Sequence, residues 1–403
     1  MMQSSKRRWA VLLLGVSLWL SGCASQPLAK VRDDVNHGHY AQALERLDAS
    51  EFTDRDRLLV YLHKGLILHE LGRYEDSNQQ LLQAAELIEA LDQIDISEQL
   101  STLAVNEWLA TYRGEYSERL WVHSYLMMNF LLLGDAEAAA VEARRALRVF
   151  DAHPKPLKNA FFTRALTGLS FEHVGLLNDA VLEYRVLADA LPNPAPVAAR
   201  LHRYARELGL SDVAEKYKPE DSSDGQVVPP GQGELVVFVA RGRIPKKVSG
   251  NVFVPPDIRL SWPEYAYTYP LRGTYTLRVS GAAPGYSTIR SDMALLARTS
   301  LAARATSVAT KQVARAVAKH AIVDEVSEKD PLVAGILQLA LFVLEEADTR
   351  GWDVLPQQLD LLRVPLPVGE HNVQLSLGGQ HVVDLPMVKI VPGSRVFHKV
   401  RLP

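Results

Sequence analysis

The sequence predicts an all-α helical repeat array followed by an α+β domain with a helical insertion. Three observations carry this expectation. A glycine-centred pattern recurs between residues 30 and 217. A polar stretch rich in Pro and Gly, from Lys218 to Gly233, then reads as a linker. From 234 to 403 β-branched runs and alternation take over, broken once by alanine-rich and apolar segments of helical character. The chain has 403 residues, too many for one ordinary core and enough for two or three domains.

The repeat is read from its glycines. Gly38-His39-Tyr40 is followed by Ala43, Leu44 and Leu47, and Gly72-Arg73-Tyr74 comes 34 residues later (72 − 38). Gly65 precedes that second copy, and Leu81 and Ala84 follow it. Gly134 leads to Ala139, Ala143 and Ala146. Gly175 has Gly168 before it and Ala180, Tyr184 and Pro192 after it, and Gly209 opens a weaker copy with Val213 and Ala214. These positions resemble the tetratricopeptide pattern, in which a small residue in the first helix admits the second and a glycine turns the chain between them. The gap of 62 residues between Gly72 and Gly134 (134 − 72) places inserted helix around Leu91 to Thr111. Such an array leaves a concave groove suited to a peptide or a partner protein. Tyr61, His63, Trp121, His123 and Asn129 are the candidates to line it, although the same spacing serves packing between repeats.

In the second part, Leu235 to Ala240 is a continuous apolar run, as expected of a buried strand. Val252 to Val254 is a short candidate, and Tyr275, Leu277 and Val279 alternate with polar neighbours as in a half-buried strand. Asp292 to His320 reads as helix, with Arg304, Lys311, Arg315 and Lys319 within one arc. That stripe is the solvated face of a packed helix, or a contact for an anionic surface. Asp330-Pro331 opens an apolar segment, Leu332 to Leu344, too short to span a bilayer and suited to a core helix. Four further strand candidates close the chain: Asn372 to Leu377 and Val382 to Leu385 around Gly378-Gly379, then Val388 to Val391 and Arg395 to Leu402.

The N-terminus sets an expected location. Lys6, Arg7 and Arg8 precede an apolar stretch from Trp9 to Leu20, which matches the central region of a secretory leader. Leu20-Ser21-Gly22-Cys23 resembles the bacterial lipobox, so residues 1–22 are read as a leader and 23–29 as a lipid-anchored stem. Ala24 and Ser25, with no Asp in second place, imply sorting to the outer membrane of a Gram-negative cell, on its periplasmic face. The formal net charge of −3 becomes about −6 without the three leader cations, so no basic field exists for a nucleic-acid partner. A single cysteine excludes a disulfide framework and a cysteine-based zinc cluster.

Several stretches together resemble a family of proteobacterial outer-membrane lipoproteins with tetratricopeptide repeats. They are Gly114-Glu115-Tyr116-Ser117-Glu118-Arg119, Val141 to Arg145, Gly242 to Lys247 and Leu260-Ser261-Trp262-Pro263-Glu264-Tyr265. The last two run from Ala347-Asp348-Thr349-Arg350-Gly351-Trp352 to Leu355-Pro356, and from Arg363 to His371. The resemblance covers most of the chain beyond the leader and implies architecture and location, with no catalytic residues. From Leu366 the sequence also resembles the short β repeats of PEGA-type modules.

No phosphate-binding loop, nucleophile elbow or metal-binding histidine pair is present, and neither cofactor nor metal is expected. His69-Glu70 and Glu172-His173 stand isolated in repeat helices, and Cys23 is lost to chemistry once acylated. Asp348, Arg350 and Trp352 form a polar group beside the apolar segment, read as a helix cap or as one half of a cluster with Trp262 and Glu264. The leading expectation is a non-enzymatic scaffold that binds another envelope protein through the groove. The alternative is a peptidoglycan- or carbohydrate-acting enzyme centred on Trp262, Glu264, Tyr265, Asp348 and Arg350.

Overall fold

The computed structural model describes residues 26–98, 111–219, 228–254, 258–304 and 347–403. The leader, Cys23, most of the stem, most of the segment from Leu91 to Thr111 and the apolar segment from Leu332 to Leu344 lie outside the described residues.

Among the described residues ten helices form five antiparallel pairs: α1 (Gln26–Asn36) with α2 (Tyr40–Asp48), α3 (Arg57–Glu70) with α4 (Tyr74–Glu98), α5 (Tyr116–Leu133) with α6 (Ala136–Ala152), α7 (Phe161–His173) with α8 (Leu177–Ala190), and α9 (Ala195–Glu207) with α10 (Ser211–Lys216). Every pair turns at one of the glycines of the repeat. Gly38, Gly72, Gly134, Gly175 and Gly209 all adopt φ between 72° and 80°, a left-handed conformation that ends a helix at little cost only in glycine. The small residue of the first helix has the expected use at two positions. A Cβ on Gly65 would meet Leu81 at 2.6 Å, and one on Gly168 would meet the Tyr184 ring at 2.6 Å.

The second half is built of strands. A four-stranded sheet has the order β11 (Arg395–Leu402), β1 (Gly233–Arg241), β6 (Gln358–Leu366), β5 (Ser287–Asp292), with β1 and β11 parallel and the other pairs antiparallel. Against one face lie two small sheets, β4 (Tyr275–Val279) with β8 (Val373–Leu377) and β9 (Gln380–Asp384), and β7 (Gly369–His371) with β10 (Val388–Ile390). A hairpin of β2 (Lys247–Val254) and β3 (Ile258–Tyr265) stands apart. Every strand candidate of the sequence overlaps a strand, with Asn372, Leu385 and Val391 just outside. Of the helical insertion, residues 293–304 are helical, and 305–346 lie outside the described residues.

The period of two along the central strands sorts the core into two layers. Leu235, Val237 and Val239 of β1, with Leu362, Val364 and Leu366 of β6, face the small sheets. Val236, Phe238, Leu359 and Leu361 face the other way and share one apolar core with the helices. That face is covered by the odd-numbered helices: α7 meets β5 and β6, α9 meets β5, and α5 meets β11. Phe238 packs between Phe162 of α7 and Phe397 of β11, with ring centroids 6.3 and 6.1 Å apart. The sheet thus lies along the first helices of the repeats, the side a repeat array normally leaves open. An open groove is therefore corrected to a closed one, because an apolar sheet face and an apolar helix face each need cover and supply it to one another.

Candidate functional site

The layer between helices and sheet is not wholly apolar. Glu172 and His173 of α7, isolated in the sequence, reach strands nearly 200 residues away. Arg363 of β6 donates to Glu172 at 2.8 Å through each terminal nitrogen and to Glu234 of β1 at 2.6 and 2.8 Å. Arg395 of β11 bonds both carboxylates, and Arg200 of α9 donates to Glu234 at 2.9 Å. The Tyr184 hydroxyl donates to Glu172 at 2.5 Å and accepts from Arg363 at 2.9 Å. Burial alone would raise both carboxyls. Arg363, Arg395 and Arg200 outweigh it, holding Glu172 well below the carboxylate range and Glu234 at about 2. Each carboxylate is therefore charged and engaged by arginines, which suits a structural clamp.

A second clamp joins α5 to the C-terminal half through the stretches that carry the family resemblance. Glu115 caps α5 and forms a capping box with Glu118. Lys247, at the start of β2, donates to Glu115 at 2.6 Å and to the Arg350 carbonyl at 2.9 Å. The Trp352 amide donates to Glu118 at 2.8 Å, and the Tyr112 hydroxyl donates to the same carboxylate. Burial opposes the charge on Glu115, but Lys247 and Arg304 prevail and bring it to about 2. A third contact sets Glu70 of α3 against Lys399 at 3.1 Å and Arg401 at 3.2 Å, both on β11. Here too burial is outweighed, and Glu70 falls to about 2.

Beside the second clamp is a cavity of about 240 Å³ between α1, α3 and residues 349–351, with Arg32, Arg55, Lys246, Lys247 and Arg350 as its cations and Asp56 and Asp353 as its carboxylates. Asp353 organises it, accepting from Arg32 at 2.8 Å and facing His63 Nε2 at 3.1 Å. Burial raises the Asp353 carboxyl, but His63 and Arg32 outweigh it and hold it below its ordinary value. Arg350 donates to Asp348 and to Asp56, each at 2.8 Å.

The predicted site residues separate. His63, Trp121, His123 and Asn129 are buried, and the polar ones are spent inside the chain. His123 pairs with Glu142 at 2.7 Å, and Asn129 meets His69, Ser77 and Asn78 within 2.9 Å. Tyr61 is half-buried. None of the other four lies on an exposed surface: His63 faces Asp353 of the C-terminal half, and Trp121, His123 and Asn129 pack among the helices. In the C-terminal group, Trp352 is core, Asp348 and Arg350 pair with each other, and Glu264 is exposed. Trp262, 38% exposed, lies over Gly250 of the neighbouring strand, where a Cβ would meet its indole nitrogen at 2.6 Å. Trp262 and Glu264 stand exposed on the hairpin, whereas the Tyr265 ring lies 5.8 Å from the Lys247 ammonium and Arg350 pairs with Asp348 and Asp56. Among the described residues no three His, Cys, Asp or Glu side chains group to hold a metal, and no helix is long and apolar enough to cross a membrane. Sequence reading missed Glu234, Arg200, Arg395 and Asp353, whose partners lie far along the chain and leave no local signal.

No family model and no curated protein matches the chain. Among solved structures it is similar to MamA AMB-1, at 17% identity over 47% of this chain and 84% of that one, with a TM-score of 0.31. It is similar to MamA MSR-1 at 15% identity over 48% and 91%, with a TM-score of 0.32. BtubC from P. vanneervenii is similar at 16% identity over 48% and 72%, with a TM-score of 0.30.

Proposed function

We propose that the chain is a lipid-anchored, non-enzymatic scaffold on the periplasmic face of the outer membrane, binding another envelope protein through the outward side of its repeats. The anchor and location rest on the leader and Cys23 in the sequence. The binding surface rests on one observation. Val141 of α6 and Leu182 of α8 each lie seven residues past their turn glycine (141 − 134 and 182 − 175), and they are 46% and 49% exposed. Val186, one helical turn beyond Leu182, is 45% exposed. Two successive repeats thus present aliphatic side chains at equivalent positions, on helices that do not carry the sheet. With the concave side closed, this row is the surface through which a repeat array of this kind meets a partner.

Photocrosslinking in cells tests the reading. A photoreactive residue at Val141 or Leu182 is expected to give one discrete protein adduct, and the same residue at buried His123 none. No adduct from either outward position would overturn the scaffold reading. Labelled palmitate should enter the chain and disappear in Cys23→Ser; an unlabelled chain would remove the anchor.

A further inference from the structure

We propose that the cavity beside Asp353 takes the phosphate of an anionic phospholipid headgroup, and that its rim is the face the chain turns to its membrane. This rests on the lipid-anchor reading and deepens it. At about 240 Å³ the cavity is below the size of pockets for drug-like ligands, roughly 300–1,000 Å³. A phosphate with part of its glycerol is of the right scale. Three of the five cations of the wall are matched: Lys247 by Glu115, Arg350 by Asp348 and Asp56, and Arg55 by Asp56. Lys246 and one nitrogen of Arg32 remain. Lys246 lines the cavity, and its exposed side chain has no partner among the described residues. Arg32 spends its terminal nitrogens on Asp353 and Asp33, while among the described residues its buried Nε meets no acceptor. A buried donor left unmet costs free energy, and an anion beside it would satisfy that donor while pairing with the ammonium.

Position selects the source of the anion. Leu28 of the cavity wall lies five residues after Cys23 (28 − 23), and such a stem spans at most about 18 Å when fully extended. The cavity is therefore held within reach of the headgroup layer once Cys23 carries lipid. The segment bonded to Lys246 carries side chains that favour that layer. Ala266 donates its amide to the Lys246 carbonyl at 2.8 Å, and just beyond it Tyr267 and Tyr269 stand 77% and 76% exposed, packed edge to face at 5.1 Å. Exposed tyrosines beside a lysine are the composition of a membrane–water interface.

The test uses the full chain in a neutral detergent, titrated calorimetrically with water-soluble short-chain phosphatidylglycerol, short-chain phosphatidylcholine and inorganic phosphate. Saturable binding of phosphatidylglycerol is expected, with phosphatidylcholine and phosphate at least ~10-fold weaker, a difference well resolved by the method. Lys246→Glu should lower affinity ~10-fold or more with an unchanged melting temperature, and Lys389→Glu, an exposed lysine of β10 on the other face of the main sheet, should change nothing. Arg32→Gln also disturbs Asp353, so Lys246→Glu carries the test. Equal binding of phosphatidylcholine, phosphate as tight as phosphatidylglycerol, or no saturable binding would each overturn the proposal. Phosphatidylglycerol binding by a chain that takes up no labelled palmitate would uphold the pocket and remove the anchor.

Discussion

Replacing Arg363 by methionine would leave Glu172 and Glu234 buried with only Arg395 and Arg200 between them. Removing one partner of a buried ionic cluster costs about 3–5 kcal/mol, so the variant should unfold at distinctly lower denaturant concentration. Gly168→Ala and Gly65→Ala form an informative pair. Both added methyl groups meet a side chain at 2.6 Å, but Leu81 is a flexible end whereas the Tyr184 ring is fixed by its bonds to Glu172 and Arg363. Gly168→Ala should therefore cost about 1–3 kcal/mol and Gly65→Ala clearly less, as measured by chemical denaturation. At this scale the sequence shows the glycines plainly, because a left-handed turn is a local demand on φ. It conceals the ionic partners, because nothing near Glu172 marks Arg363 as its mate 191 residues away.

Among the elements, alternation was legible and interruption was not. β4 reads correctly from Tyr275, Leu277 and Val279, whose buried positions alternate with exposed Thr276 and Arg278. β6, the centre of the main sheet, escapes a pattern search because Asp360, Arg363 and Pro365 break its apolar run. Each interruption has a cause in the fold. Asp360 accepts from Tyr275 at 2.7 Å and from Arg290 at 3.0 Å, and Arg363 belongs to the buried clamp. Pro365 lies past Arg363, the last residue that β5 pairs, where a missing donor breaks no bond to that neighbour. β5 is hidden similarly: Ser291, polar and buried, accepts from the Phe162 amide at 2.8 Å and so caps α7 from the sheet. Ser291→Ala should leave that amide unmet and cost about 1–2 kcal/mol, read as a lower melting temperature with the fold unchanged by circular dichroism.

For the whole molecule, the same contacts set its response to acid. His69 and His173 are held near pH 4, first by burial and then by Lys399 and Arg395 respectively. A base whose folded value lies below its ordinary 6.5 contributes stability above that value and loses it as pH falls toward 4. Glu70, Glu115 and Glu234, at about 2 against an ordinary 4.5, contribute above pH 4.5 and lose their share as pH falls toward 2. Melting temperature should therefore be flat between about pH 7 and 9 and fall in two stages, below about 6.5 and again below about 4.5; a rise on acidification would contradict the charged clamps. The linker at 218–233 suggested two independent units. What it concealed is that the helices and the sheet complete one core, closing the groove on which the expected partner site depended. Hydrogen exchange followed by mass spectrometry tests that closure most directly. With one body, the slowest amides of α3, α5 and α7 and those of β1 and β6 should share a common protection at the level of global unfolding, and Arg363→Met should lower both together. Helices that exchange independently of the sheet, or an Arg363→Met effect confined to the strands, would show the concave face open and contradict the account.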